Sequence, residues 1–264
     1  MLESIVSGII QGITEWLPIS SDGMITLARV KFFKDVFDIN LLLRQILFLH
    51  LGTFLAALIY LRKDVFYLIK NFLNYRKTDR GVKRQIDFYI LSTVISGIIG
   101  LMIYKFIEEA GDFWNFTGKA ITIITGLSLL VTAVFQIKSK QNGFKKAENL
   151  EKKDGFLLGL AQGLSVLPGL SRSGLTVSIL LLRKFNDNDA LKISFLMSLP
   201  VIFGGNILMN MNSFVINFQS LVGVFFAFIF GLATIHFLLK FADKVKFGWF
   251  VFVFGIITIA SALI

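Results

Sequence analysis

Two short stretches of this chain repeat one another about 150 residues apart, and both break up oily sequence with polar residues. The first reads Gln11-Gly-Ile-Thr-Glu-Trp-Leu-Pro-Ile-Ser-Ser-Asp-Gly23 and the second Gln162-Gly-Leu-Ser-Val-Leu-Pro-Gly-Leu-Ser-Arg-Ser-Gly174. Each sets Gln-Gly, then Leu-Pro, then a hydroxyl-rich turn that ends in Gly. Helix-breaking polar segments are tolerated in hydrocarbon only where protein encloses them around a cavity. Such breaks at matching points of two halves mark the binding site of a repeat-built membrane protein.

Composition supports the membrane setting. Apolar residues make up 55% of the chain and charged residues 17%, with 29 Phe and a mean hydropathy of +0.74, outside the range of soluble domains. The net charge of +10 does not indicate nucleic acid, because the basic residues lie between apolar runs, as in loops facing anionic headgroups. With no cysteine, disulfides and thiolate metal sites are excluded. The first residues lack a basic n-region and a small-residue cleavage site, and read as retained protein rather than a signal peptide.

Six segments are long enough to cross a bilayer: about Leu41–Leu61, Phe88–Phe106, Lys119–Ile137, Ala190–Met211, Gln219–Leu239 and Gly248–Ile264. Leu2–Trp16 and Gly155–Leu167 are not. Fifteen residues of helix rise about 22 Å, short of the roughly 30 Å hydrocarbon core. Each short run ends in Leu-Pro and resumes in another short apolar run, Met24–Phe33 or Leu175–Leu182. Both are expected to be re-entrant hairpins that turn back in mid-membrane.

Lys and Arg number eight in Arg62–Arg84, six in Lys138–Lys153, and three each in Arg183–Lys192 and Lys240–Lys246. The alternate loops carry three in Arg29–Asn40, two in Lys105–Lys119 and none in Met211–Phe218. Twenty against five puts the first set in the cytoplasm. The count closes only if each hairpin returns to its own side, the first from outside and the second from inside. The expected fold is therefore all-α: six transmembrane helices plus two re-entrant helical hairpins in an inverted-topology repeat. It forms one membrane domain over 1–264, with repeats 1–137 and 154–264 joined by a basic cytoplasmic loop, 138–153.

Arg172 stands between Ser171 and Ser173 in the second break. A guanidinium near the bilayer centre costs roughly 2.5–3.5 kcal/mol on insertion scales, and its planar fork matches phosphate oxygens. Glu15 is the other intramembrane charge, open to pairing with Arg172, to a general-base role, or to both. Gln11, four residues earlier, shares its helical face. Ser20, Ser21 and Asp22 in one half, and Ser171 and Ser173 in the other, are N-cap types. Together they set two helix N-termini and a guanidinium around one point, a pocket for a phosphate or diphosphate. Thr176 adds a hydroxyl or back-bonds within its helix. His50 lies in mid-span; Arg44 and Gln45 lie near the outer end of that span, and His236 takes no role. No tight metal-ligand spacing, Walker loop or Rossmann fingerprint is present.

At these residues the chain resembles the undecaprenyl-diphosphate phosphatase family, the bacitracin-resistance type of integral membrane phosphatase. Gln11–Ser21 is similar to its (E/Q)GxTE(F/W)LPxSS segment, and Pro168–Thr176 to its PGxSRSGxT segment. Weaker likeness includes Leu49–Gly52 and Ser194–Pro200. The resemblance implies removal of the terminal phosphate from a C55-type polyprenyl diphosphate, which recycles the carrier lipid in the cell (plasma or inner) membrane. It implies Ser21 as nucleophile, Glu15 as base or its helper, and Arg172 on phosphate. Gln11, Ser20, Ser171, Ser173 and Thr176 would line the substrate site. It further implies a pocket open to the outer face and dependence on Mg2+ or Ca2+. The expected partners are the polyprenyl diphosphate lipid, membrane lipids and a second copy in a homodimer, with no nucleic acid. One departure bears on the chemistry: the family's usual His after SSxG is Met24 here, with Asp22 in place of Thr and His50 in place of Gln. Asp22 or His50 is the expected substitute base. A polyprenyl-phosphate flippase and a catalytically impaired lipid-phosphate-binding homologue are the alternatives.

Overall fold

The computed structural model describes residues 1–29, 32, 39–110, 118–138, 143–167, 170–210, 217–241 and 247–261. Among them the fold is helical throughout, with a single isolated β-bridge between Lys145 and Phe185. In chain order the helices are α1 (Leu2–Thr14), α2 (Ser21–Ala28), α3 (Ile39–Tyr60), α4 (Arg62–Leu73), α5 (Arg80–Ala110) and α6 (Gly118–Lys138). They continue as α7 (Lys152–Leu164), α8 (Arg172–Leu182), α9 (Asp187–Asn210), α10 (Phe218–Lys240) and α11 (Phe247–Ser261). Among the described residues, the six long apolar segments expected from sequence lie mainly in α3, α5, α6, α9, α10 and α11, and the four short runs mainly in α1, α2, α7 and α8; the ends of Met24–Phe33, Ala190–Met211 and Gly248–Ile264 lie outside the described residues. By length and composition, Arg80–Phe106, Asp187–Leu208 and Phe218–Lys240 each suffice to cross a bilayer.

The packing is that of a multi-pass membrane protein. Exposed positions on α5 include Ile90, Val94, Ile98 and Met102, and on α10 Leu221, Phe225 and Ile229. Their spacing of four makes one apolar stripe per helix, facing outwards. Buried positions are often hydroxylic, as at Ser92, Ser96, Thr125, Thr132, Ser194 and Ser198. Small and hydroxylic residues on the inward faces are what helix association within lipid requires.

Glycine spacing sets which helices touch. A Cβ on Gly8 or Gly12 of α1 would lie 2.3 Å from the Gly223 carbonyl oxygen or 2.7 Å from Phe230 Cβ on α10. On α7, Gly159 and Gly163 would likewise meet Ile95 Cβ at 2.8 Å and Ile99 Cβ at 2.7 Å on α5. The leading helix of each hairpin thus packs on a long helix from the other half of the chain. A core of Trp16, Ala56, Ala57, Leu61, Phe195 and Ile235 lies beneath the first hairpin, with Trp16 edge-on to Phe195 at 4.8 Å between ring centroids. Phe88, Leu150, Leu158, Leu180, Phe185 and Met197 form its counterpart beneath the second.

Both hairpins are also tied at their open ends. Arg29, just past α2, pairs with Glu3 of α1. Arg183, just past α8, holds the fully buried Asp154 of α7 through Nε at 2.6 Å, and Glu151 at 3.2 Å. Glu3 and Asp154 stand in the same register as Ser20 and Ser171. Helix α8 ends in a Schellman motif: Phe185 N–H donates to the Leu180 carbonyl at 3.0 Å and Lys184 N–H to that of Leu181 at 2.9 Å. Lys184 takes the left-handed conformation at φ 70°.

One segment departs from expectation. The basic stretch Arg62–Arg84, read as a loop, contains α4. The chain bends by 81° at Leu61 between α3 and α4. Helix α4 exposes Phe66, Tyr67, Ile69, Phe72 and Leu73 beside Lys63 and Lys70, the composition of an amphipathic helix lying along a membrane surface. The break at Pro168 and Gly169 lies outside the described residues.

Candidate active site

The two hairpins bring their polar turns together. Ser20 is the N-cap of α2, and its Oγ accepts from Gly23 N–H at 3.2 Å; Ser171 is the N-cap of α8, and its Oγ accepts from Gly174 N–H at 3.1 Å. The first-turn N–H groups of Ser21, Asp22, Arg172 and Ser173 have no acceptor within their helices, so two positive helix ends meet at one place. The turns are joined directly, Ser173 Oγ donating to the Leu17 carbonyl at 2.8 Å, and α6 holds the first turn through Gln136 Nε2, which donates to the Pro18 carbonyl at 2.9 Å.

Glu15 sits at the centre, buried, at the C-cap of α1. Its Oε2 accepts from Gln11 Nε2 at 3.0 Å and from Ser21 Oγ at 2.8 Å, and it faces His50 Nε2 at 3.1 Å. Its Oε1 accepts from the Arg172 guanidinium. A buried carboxylate is tolerated when paired and hydrogen-bonded, and Glu15 meets four donor side chains. Arg172 is further held by the Ser194 carbonyl at 3.3 Å and lies 5.5 Å above the Trp16 ring, within cation–π range. His50 Nδ1 meets the Ile46 carbonyl at 2.8 Å, and its Nε2 is also 3.6 Å from Asp22 Oδ1. Both ring nitrogens therefore face oxygen acceptors, the geometry of a doubly protonated ring.

These residues open onto a cavity of about 350 Å³ lined at one end by Glu15, Ser20, Ser21, Asp22, His50 and Arg172, with Ser171 and Ser173 beside them. The other end is formed by Gly97, Gly100 and Leu101 of α5 and Gly204, Gly205 and Leu208 of α9. A Cβ at Gly97 or Gly204 would meet nothing within 4 Å, so these glycines leave room rather than bring helices together. A polar head with an apolar arm is the form of a site for an amphiphile.

Eight of the ten residues expected at the site line this cavity. Gln11 and Thr176 do not. Gln11 is wholly buried one turn behind Glu15, with its amide committed to that carboxylate. Thr176 is wholly buried too, donating to the Arg172 carbonyl at 2.8 Å and sharing a hydrogen bond with Ser194 Oγ at 2.7 Å. Both support the wall from behind, because their hydroxyl and amide protons are taken by neighbours. Met24 and Arg44 do not line the cavity, and His236 bonds Tyr60 Oη at 3.0 Å elsewhere. The imidazole beside Glu15 comes instead from α3. Trp16 and Ser194 escaped sequence reading because their roles are contacts across the fold. Gln162, which also lines the cavity, carried a signal as the opening residue of the second repeat.

Among the described residues, no group of three His, Asp or Glu side chains is arranged to hold a metal ion. Glu15 is saturated by protein donors, whereas the Asp22 side chain is 34% exposed at the cavity edge, so Asp22 is the carboxylate that a divalent cation could reach.

Residues 4–260 match the family described as bacitracin resistance protein BacA. A protein of Methanococcoides burtonii named undecaprenyl-diphosphatase is 38% identical, over 98% of this chain and 97% of its own length. One of the same name from Methanothrix thermoacetophila is 35% identical over 98% and 96%. Undecaprenyl-diphosphatase 4 of Bacillus thuringiensis is 35% identical over the same shares, 98% and 96%.

Proposed function

The chain belongs to the bacitracin resistance protein BacA family, and from that premise we propose that it hydrolyses a polyprenyl diphosphate to the monophosphate and inorganic phosphate. The observation that carries this reading is one cavity with a hydroxyl–carboxylate–guanidinium cluster at its head and a glycine-lined apolar arm. The head suits a diphosphate and the arm an isoprenoid chain. In this reading the protein sits in the cell membrane with six spans and two re-entrant hairpins related as an inverted repeat.

Ser21 Oγ is the nucleophile. It attacks the terminal phosphorus while its proton passes to Glu15 Oε2, 2.8 Å away. The bond to the bridging oxygen breaks, and its electron pair leaves on the lipid monophosphate. Water then attacks the phosphoserine; its oxygen bonds to phosphorus, Ser21 Oγ takes the released electron pair, and a proton returns to Oγ. Arg172 and the N–H groups of α2 and α8 hold the equatorial oxygens, a charge arrangement fixed before substrate arrives. With both nitrogens facing acceptors, His50 acts as a cation that orients Glu15 and Asp22, leaving the base role to Glu15. Asp22 would hold a Mg2+ or Ca2+ ion, which would supply positive charge against the phosphate.

Phosphate release from farnesyl diphosphate in detergent tests this reading. Wild type is expected to turn over, Ser21→Ala to fall to background, and Arg172→Ala to lose most of kcat/KM. Full activity in Ser21→Ala would overturn the nucleophile assignment, and an inert wild type the reaction itself. The Ser21–Glu15 hydrogen bond is an arrangement for chemistry, which a purely transporting protein does not need.

A further inference from the structure

The cavity has a second polar wall. Ser96 of α5, Gln162 and Ser165 at the end of α7, and Ser198 of α9 all line it, and none belongs to the cluster around Glu15. Along α5 this wall runs from Ser96 into Gly97 and Gly100, and along α9 from Ser198 into Gly204 and Gly205. It therefore lies where the head of the cavity passes into its apolar arm.

The wall is uncharged, and its protons are already committed. Ser96 Oγ donates to the Thr93 carbonyl at 3.1 Å, Ser165 Oγ to that of Gln162 at 2.7 Å, and Ser198 Oγ to that of Phe195 at 2.7 Å. Gln162 Nε2 donates to Ser96 Oγ at 3.2 Å and to the Met197 carbonyl at 3.3 Å. Since a carbonyl only accepts, the Met197 contact fixes which end of the amide is nitrogen. Gln162 Oε1 is then a buried acceptor with no hydrogen-bond partner among the described residues. At the matching position of the first repeat Gln11 serves Glu15, but four residues beyond Gln162 stands Val166, so this glutamine has no carboxylate to hold. Gln11 Oε1 is likewise without a partner among the described residues, but Gln11 does not line the cavity and Gln162 does. A buried acceptor without a partner is costly, and at Gln162 the cavity is where a donor can come from.

We propose that this wall is an acceptor subsite, centred on Gln162 Oε1, for an O–H donor at the lipid-side end of the headgroup. Two sources share that chemistry: a protonated phosphate oxygen of the substrate, or the water that takes the leaving group's place and hydrolyses phosphoserine. A fully ionised phosphate oxygen would be repelled there, so the charged and uncharged walls sort the two ends of the headgroup. The inference deepens the phosphatase reading and rests on it.

The test compares wild type, Gln162→Leu and Ser92→Ala in detergent, reading kcat and KM on farnesyl diphosphate, inhibition by inorganic phosphate, and the thermal midpoint. Gln162→Leu keeps the volume and removes the acceptor together with the N–H bonds to Ser96 and Met197; Ser92→Ala removes a buried hydroxyl of α5 that donates to the Tyr89 carbonyl at 3.2 Å, outside the cavity lining, and leaves Oε1 in place. We expect Gln162→Leu to lower kcat about tenfold, equivalent to ~1.4 kcal/mol, and Ser92→Ala to stay within about threefold. If the donor is a phosphate O–H, the inhibition constant for phosphate rises in parallel, most at the acid end of the assay range. If the donor is water, kcat and KM fall together, while kcat/KM and phosphate inhibition are unchanged. The proposal fails if Gln162→Leu keeps kcat and phosphate inhibition within twofold, or if Ser92→Ala loses as much kcat for the same drop in thermal midpoint. Should wild type release no phosphate, the phosphatase reading falls, and calorimetric binding of inorganic phosphate to the same variants still decides the subsite.

Discussion

Replacing Gly23 with alanine should disable the site without weakening the helix that carries it. Gly23 is in the first turn of α2, two residues after Ser21, and its Cβ would stand 2.6 Å from Thr125 Cγ2 on α6. Carbon atoms in contact settle at about 3.5–4.0 Å, so the start of α2 must retreat by about 1 Å. Ser21 moves with it, away from Glu15 Oε2. Misplacement of a reacting group by about 1 Å costs on the order of 10²-fold, and that loss is expected in kcat/KM for phosphate release from farnesyl diphosphate. Alanine favours a helix over glycine by about 1 kcal/mol, so unravelling of α2 is not the cause. Thr125→Ser removes the offending methyl, and the next neighbour of the new Cβ is Ser20 Oγ at 3.4 Å, an ordinary contact. The double variant Gly23→Ala/Thr125→Ser should return to within about threefold of Thr125→Ser alone. Retention of a third or more of activity by Gly23→Ala, or no recovery in the double variant, would refute the claim that α2 is held to ångström accuracy by α6.

Two further outcomes follow from the tie at the second hairpin and from the apolar arm. Arg183→Met strands the buried Asp154 carboxylate, a loss of about 3–5 kcal/mol for a broken buried pair; the melting temperature in detergent should drop sharply and recover in part in Arg183→Met/Asp154→Asn. Gly204→Leu fills open space in the arm, so KM for long-chain isoprenoid diphosphates should rise several-fold while inhibition by inorganic phosphate stays the same; a change in phosphate inhibition would show that the arm and head are not separate.

Periodic and local features were legible in the sequence. The caps Ser20 and Ser171 are visible because capping is a relation between residues three apart, and the hairpin helices because Leu-Pro and small polar residues end an apolar run. Helix α4 was hidden because its positive charges count towards a loop, while Phe66, Ile69, Phe72 and Leu73 form a stripe too short to read as a span. Proximity of Glu15 and Arg172 could be guessed from two charges with no other partner in lipid. The placing of His50 at the site rests on the family resemblance alone, since α3 supplies it from a separate segment. Sequence could not separate Gly12, which meets a neighbouring helix, from Gly97, which faces a cavity: the residue is the same, and only the third dimension tells them apart.

The interleaving of the halves has a consequence for how the protein is made. Helix α1 rests on α10, which leaves the ribosome about 200 residues later. At 5–20 residues per second, that is roughly 10–40 s of synthesis. Until then a segment too short to reach across the bilayer is without its glycine-matched neighbour, and for the first 157 residues after it Glu15 also awaits Arg172. The insertion machinery must shelter this unfinished clasp, so interruption of translation before α10 should expose the first hairpin to membrane proteases.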